Sequence, residues 1–178
     1  QRINVVGTSG SGKSTFSRQL SKLLNLPHYE LINYFEAGWQ ESTDEEFFPK
    51  LREVTGQQKW VLDGNYSRTV SIKWQHVQLV VWLDLPFPQT IYRVTQRTVR
   101  RSLSRREIWP GTGNRESLLT SFLSTKSIIW WAMTTHRKNR KMYGEMMGDP
   151  KYSHIPFVRL RSPGEVAAWL ESLRGESR

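Results

Sequence analysis

The chain has 178 residues, a size that suits one domain with a full hydrophobic core. It carries no cysteine, which excludes disulfides and thiolate metal sites, and its apolar runs LVVWL (79–83) and IIWWAM (128–133) are far too short to span a membrane. The net charge of +10 is confined to one stretch: between Arg93 and Lys141 twelve Lys and Arg stand against two Glu, so either a large anion or a solvated surface is expected there.

Arg2 leads at once into strand-like residues 2–6, without the basic, apolar and cleavage-site order of a leader, so a cytoplasmic protein is expected. Ser14 to Asn25 reads as a helix with Phe16, Leu20, Leu23 and Leu24 inward. His28 to Ile32 reads as a second strand. Residues 33–59 are acidic and aromatic, with a helix near Asp44–Val54 started by Ser42 or Thr43. Trp60-Val61-Leu62 is a short strand running into an Asp63-Gly64 turn. Val77 to Leu83 is continuously apolar, as a strand covered on both faces must be. A helix from about Pro88 to Arg105, the loop WPGTGN (109–114) and further helix to about Met147 follow. Phe157–Leu160 is the last strand. Ser162 then caps a helix with Pro163 first, Glu165 in its first turn, and Val166, Trp169, Leu170 and Leu173 inward.

Strands alternating with helices mean an α/β fold, three layers deep, with a parallel sheet in the middle. The expected sheet has five strands in the order 2-3-1-4-5, with its ligand loop at the C-terminal end of the central strand. One domain covers 1–178. Within it, 33–59 is expected to bind an acceptor and about 102–116 to form a helical, arginine-rich lid, since long irregular connections are usually functional.

The stretch GTSGSGKST fits G-x-x-x-x-G-K-[ST] at Gly7, Gly12, Lys13 and Ser14, between a strand and a helix as that pattern requires. Gly7, Gly10 and Gly12 let successive N–H groups turn towards one point, and the following helix adds its positive end. The whole run of Gly7, Thr8, Ser9, Gly10, Ser11, Gly12, Lys13, Ser14 and Thr15 is therefore read as a phosphate cradle. Lys13 reaches the β- and γ-phosphates, and the Ser14 hydroxyl is placed to ligate Mg²⁺.

Asp63 ends the strand expected beside the first one, where a carboxylate can hold Mg²⁺ through water. Arg68 can hold an acceptor or a γ-phosphate, or be a surface arginine. Arg93, Arg97, Arg100 and Arg101 share one helix face, where like charges repel unless a polyphosphate lies opposite. Arg105, Arg106 and Arg115 flank the Gly/Pro loop, and a mobile arginine-bearing segment is what phosphoryl transfer needs. The cluster His136–Lys141 reads as a solvated helix face.

Together these stretches resemble the P-loop nucleotide and metabolite kinases of the adenylate-kinase type: GTSGSGKST their phosphate loop, VLDGNYSRT their Asp-Gly and acceptor Arg, RTVRR (97–101) their pair of lid arginines, and GNRES (113–117) the lid's returning Arg. Over nearly the full length the chain is closer to small bacterial proteins labelled adenylate-kinase-like or "DNA topology modulation protein", through PHYEL (27–31), GW (38–39), LDGNYS, GNRES, THR (135–137) and RLRSPGEV (159–166). The resemblance implies the kinase fold, ATP with Mg²⁺, catalytic Lys13, Asp63, Arg97 and Arg101, and phosphate binding by Arg97, Arg101 and Arg115.

Two departures bear on the acceptor. Segment 33–59 holds a single arginine, Arg52, against Glu36, Glu41, Asp44, Glu45, Glu46 and Glu53, a poor site for a second phosphate and a better one for an uncharged or cationic molecule. The relatives carry an Asp where this chain has Ile32; Glu30, on the same face of the strand, is the nearest substitute as base and acceptor ligand. The expected function is thus an ATP-dependent phosphotransferase, a small-molecule or nucleotide kinase. A basic nucleic-acid binder affecting DNA topology is the rival, supported by pI 10.1 and eight Trp. It leaves the strand–loop–helix unit unexplained. A regulatory P-loop NTPase is the third, without an N-K-x-D motif or a strand-ending Asp-Glu pair.

Overall fold

A computed structural model describes residues 1–31, 43–65, 67–104 and 128–176. Its strands are β1 (Arg2–Gly7), β2 (His28–Glu30), β3 (Trp60–Asp63), β4 (Leu79–Leu83) and β5 (Phe157–Leu160), and all four pairings are parallel. The order is β2-β3-β1-β4-β5, as expected, with β1 in the centre. β2 is three residues long and stops before Leu31, two residues earlier than the sequence reading. Val77 precedes β4 and is buried outside it.

The helices are α1 (Lys13–Leu24), α2 (Asp44–Thr55), α3 (Val70–Lys73), α4 (Phe87–Ser104), α5 (Ile128–Gly148) and α6 (Pro163–Glu176). No helix among the described residues is long and apolar enough to cross a membrane. Alternation along β1 assigns its side chains to two cores. Ile3 and Val5 join Val61, Val81 and Leu83 under α1 and α6, where Phe16 stacks on Trp169 at 5.8 Å. Val6 joins Trp60, Leu62, Val80 and Trp82 on the other face, covered by Phe47 and Leu51 of α2 and Tyr143 of α5. Each such fully buried side chain contributes roughly 1.5–3 kcal/mol. The start of α6 is locked as its sequence requires: Glu165 N–H donates to Ser162 Oγ at 3.1 Å and Arg161 N–H to Glu165 Oε2 at 2.7 Å.

The stretch 136–141 departs from the solvated face expected of it. His136 is buried on α5 with Nε2 3.3 Å from the Leu85 carbonyl. Arg140 reaches Asp84 at 3.2 Å, and Arg159 of β5 donates to the same carboxylate oxygen at 2.9 and 2.5 Å. Asp84 follows β4 directly and is buried, so a carboxylate there needs both guanidinium groups. Basic residues on α5 therefore tie that helix to the sheet, while Arg137, Lys138 and Lys141 remain exposed.

Lys73, the last residue of α3, is fully buried. Its Nζ donates to the carbonyls of Gly64, at 3.2 Å, and Asn65, at 2.5 Å. Among the described residues no carboxylate forms an ion pair with it. Burial pulls its pKa from 10.5 down to about 7.

Two stability measurements follow from these buried charges. Asp84→Ala leaves two guanidinium groups without their shared carboxylate and should cost about 3 kcal/mol in urea unfolding, the low end for breaking a buried pair because Arg140 is half-exposed. For Lys73, the unfolded amine is protonated between pH 7 and 10 where the buried amine is not, so its contribution raises stability as pH rises. The slope is at most about 1.4 kcal/mol per pH unit. Lys73→Met should flatten this rise in unfolding measured at unit steps from pH 7 to 10; above that range the Tyr143 hydroxyl, whose pKa burial pushes up, acts in the opposite direction.

Candidate active site

Parallel pairing in register sets Val5 beside Asp63 and Gly7 beside Leu83, so the ends of β1, β3 and β4 meet at one edge. The loop Gly7–Gly12 leaves β1 there and turns back through a bond from Ser11 N–H to the Thr8 carbonyl, 3.1 Å. Gly10 has φ +82°, and a Cβ on it would run into the Thr90 carbonyl and to 2.6 Å from Val94 Cγ2 of α4. Only glycine allows both the left-handed backbone and that close approach. Gly12, φ +91°, is the N-cap of α1, and its carbonyl accepts the first helical bond from Phe16 N–H at 2.9 Å. The N–H groups of the first turn itself have no partner within the helix, as at any helix start.

Ser14 Oγ donates to Asp63 Oδ2 at 2.6 Å, joining α1 to the end of β3. Lys13 Nζ bends back to the Thr8 carbonyl at 3.2 Å. Burial lowers the Lys13 pKa, with the nearby Asp63 charge opposing the shift and Arg97 adding to it. Burial raises the Asp63 pKa against the pull of Lys13 and the Ser14 hydrogen bond. Ser11 Oγ is buried with no hydrogen-bond partner among the described residues, a donor and acceptor held inside the cradle. Hard oxygen donors in this contact fit Mg²⁺, and the cradle fits a phosphate.

From α4, Arg97 Nη2 donates to Ser9 Oγ at 3.2 Å, and Arg93 Nη1 would lie 3.6 Å from a Cβ at Gly12. Two members of the arginine stripe thus reach the loop, while Arg100 is exposed. The side chain of Arg101, Arg115 and the whole loop 109–114 lie outside the described residues, as do Ile32 and 33–42. A cavity of about 570 Å³ opens beside the loop between α1, α4 and α6, lined by Gly12, Thr15, Gln19, Arg93, Pro163 and Val166 among others.

On the opposite side, Glu30 ends β2 two residues beyond His28. Ligand atoms of His28, Glu30 and Asp63 all lie within 4.8 Å of one another. Burial lowers the His28 pKa against the pull of Glu30 and Asp63. The structure brings Glu30 to Asp63 but also sets the Arg18 guanidinium on Glu30 Oε1, at 3.2 Å. Arg68 is exposed, with its guanidinium 5.4 Å from the centre of the Phe47 ring on α2. Sequence reasoning passed over Asn65, whose side chain accepts from Gly7 N–H at 2.8 Å and donates to the Gly7 carbonyl at 2.7 Å. Its place in LDGNYS was the available signal, but an Asn after Asp-Gly reads as an ordinary turn residue.

Residues 3–117 match the AAA domain family. Over 107 residues the chain is 29% identical to the uncharacterized protein YqaC of Bacillus subtilis (strain 168), a match covering 57% of this chain and 58% of that one. It thus spans somewhat more than half the length of the curated relative it matches. Its structure is similar to shikimate kinase from Aquifex aeolicus VF5, with TM-score 0.56 and 17% identity over 99% of this chain and 98% of that one. It is also similar to shikimate kinase from Acinetobacter baumannii in complex with shikimate, with TM-score 0.56 and 16% identity over 96% and 89%. Deoxyadenosine kinase from M. mycoides with dCMP and dCDP bound gives TM-score 0.55 and 15% identity over 99% and 98%. At these identities the likeness is one of fold, and the fold is that of the P-loop kinases. The family match covers well over half the chain and includes β1, the glycine loop and Asp63, so this chain belongs to the AAA domain family.

Proposed function

We propose that this protein is an ATP-dependent phosphotransferase that moves the γ-phosphate of Mg-ATP to a hydroxyl of a small acceptor lacking a phosphate of its own. The observation that carries this reading is the 2.6 Å contact between Ser14 and Asp63 at the mouth of the glycine loop. A simple turn would have no reason to bury a carboxylate beside a lysine and a serine. In this reading the N–H groups of residues 8–10 and 12–15 hold the phosphates, while those of Gly7 and Ser11 stay with Asn65 and the Thr8 carbonyl, and Lys13 moves from the Thr8 carbonyl to the β- and γ-oxygens. Ser14 and Asp63 hold Mg²⁺, which offsets charge on those oxygens. Arg97, Arg101 and Arg115 complete the phosphate shell, and the cavity beside Thr15 and Val166 takes the nucleoside. Transfer then rests on positioning and charge, with little covalent chemistry left to the protein.

The acceptor side is read from charge. Glu30, beside His28 and Asp63, serves the acceptor hydroxyl as base and ligand, and Arg68, over the Phe47 ring of α2, helps to hold the acceptor. Carboxylates outnumber arginines there, so a second phosphate would be repelled.

Release of ADP from ATP, measured over nucleoside monophosphates, nucleosides, sugars and amino-alcohols, tests the acceptor. A phosphate-free molecule should be turned over best, and fast saturable phosphorylation of AMP or CMP at micromolar concentration would refute the acceptor class. The machinery is tested by substitution. Lys13→Ala should abolish turnover in a folded protein, and Arg97→Ala or Arg101→Ala should each cut kcat by about 10²–10³, the loss expected for one preorganised donor. A nucleic-acid binder would instead keep its turnover and lose about one unit of salt slope in DNA binding per arginine.

A further inference from the structure

We infer that Asn65 and Lys73 are positioning residues that set the shape of the phosphate loop, an assignment that rests on the phosphotransferase reading. The carboxamide of Asn65 grips both backbone groups of Gly7, accepting at 2.8 Å and donating at 2.7 Å. Among side chains in their usual state at neutral pH, only the amides present a donor and an acceptor side by side in one plane, as this double contact requires. Gly7, φ +149°, is where β1 turns into the loop, and it is hemmed in: a Cβ there would lie 2.6 Å from the Leu83 carbonyl and 2.9 Å from Ser11 Oγ. The clamp therefore governs the direction in which the following N–H groups leave the strand.

Asn65 is itself held from two further elements. Its carbonyl accepts from Lys73 Nζ of α3 at 2.5 Å and from the Tyr143 hydroxyl of α5 at 3.2 Å. The Gly64 carbonyl accepts the second Lys73 bond at 3.2 Å, while Gly64 N–H donates to the Val5 carbonyl at 3.2 Å. A fully buried amine with no carboxylate partner among the described residues is unfavourable, and a methionine of similar volume would pack there at less cost. What the amine adds is a pair of donors aimed at the two carbonyls that orient Asn65. The chain of contacts α3–Gly64/Asn65–Gly7 ends in the cradle, which Lys73 reaches only through Gly64 and Asn65.

The test titrates the full chain with MgADP and with inorganic tripolyphosphate, which reports the loop without the nucleoside cavity. Wild type is compared with Asn65→Ala, Lys73→Met and Tyr143→Phe, with Tm measured alongside and binding measured well below it. Asn65→Ala changes no charge, so its effect is separate from any weakening of the local field by Lys73→Met. Both should weaken each ligand about tenfold or more, as loss of an orienting partner does at other sites. Tyr143→Phe, which removes one of two donors to the Asn65 carbonyl, should weaken each about twofold. A purely structural role would move Tm and leave both affinities alone. Wild-type affinity for both ligands in folded Asn65→Ala and Lys73→Met overturns the inference and leaves the phosphotransferase reading intact. If those two variants do not fold, unchanged affinities in Tyr143→Phe overturn it instead. Failure of wild-type protein to bind either ligand removes the phosphotransferase reading, and the inference with it.

Discussion

A central parallel strand buried on both faces can release its polar groups only at its end. β1 lies between β3 and β4, and from Ile3 to Gly7 every residue is buried. Parallel register then stacks the C-terminal ends of three strands at one edge, and whatever follows them is polar, crowded and close to the core. The glycine loop, Asp63 and Asp84 all stand at that edge. The rest of the molecule can be understood as helices placed to cover the sheet while satisfying those ends.

Asp63, Asp84 and Asn65 at the edge each find a specific partner, and these contacts join elements distant in sequence. Ser14 meets Asp63 across 49 residues, and Asn65 meets Gly7 across 58. Arg159 meets Asp84 across 75, with Arg140 of α5 on the same oxygen. Asn4, a polar residue inside β1, belongs to the same system: its Nδ2 donates to the Leu62 carbonyl at 2.9 Å and its Oδ1 accepts from Trp74 Nε1 at 2.9 Å. Such contacts add little net stability one by one but are costly to break, because the partner is left buried and unsatisfied. They specify register and loop shape, while the apolar faces supply the stabilisation.

The same logic divides the basic residues. Of the positive charges concentrated between Arg93 and Lys141, Arg93 and Arg97 approach the glycine loop, and Arg140 neutralises a buried carboxylate. Arg100, Arg137, Lys138 and Lys141 face solvent. A net charge counted along the sequence therefore mixes residues at the candidate site, residues holding α5 to the sheet, and residues that keep the surface charged.

Much of this was legible in the sequence for local reasons. A strand buried on both faces must be continuously apolar, which located β4; a glycine loop followed by Lys-Ser must bend and then enter a helix, which located the cradle; Ser-Pro-x-Glu caps its own helix whatever surrounds it, which located α6. Alternation of strands with helices then dictated a parallel sheet. What pattern could not supply were contacts whose partners are far apart in the chain. Nothing local distinguishes Asn65 from a turn residue, Lys73 from a surface lysine, or His136 and Arg140 from their solvated neighbours. Each acquires its partner only when β1, α3 and α5 close around the same strand ends, because a hydrogen bond between buried groups is specified by where the backbone comes to rest in three dimensions rather than by the residues beside it in the sequence.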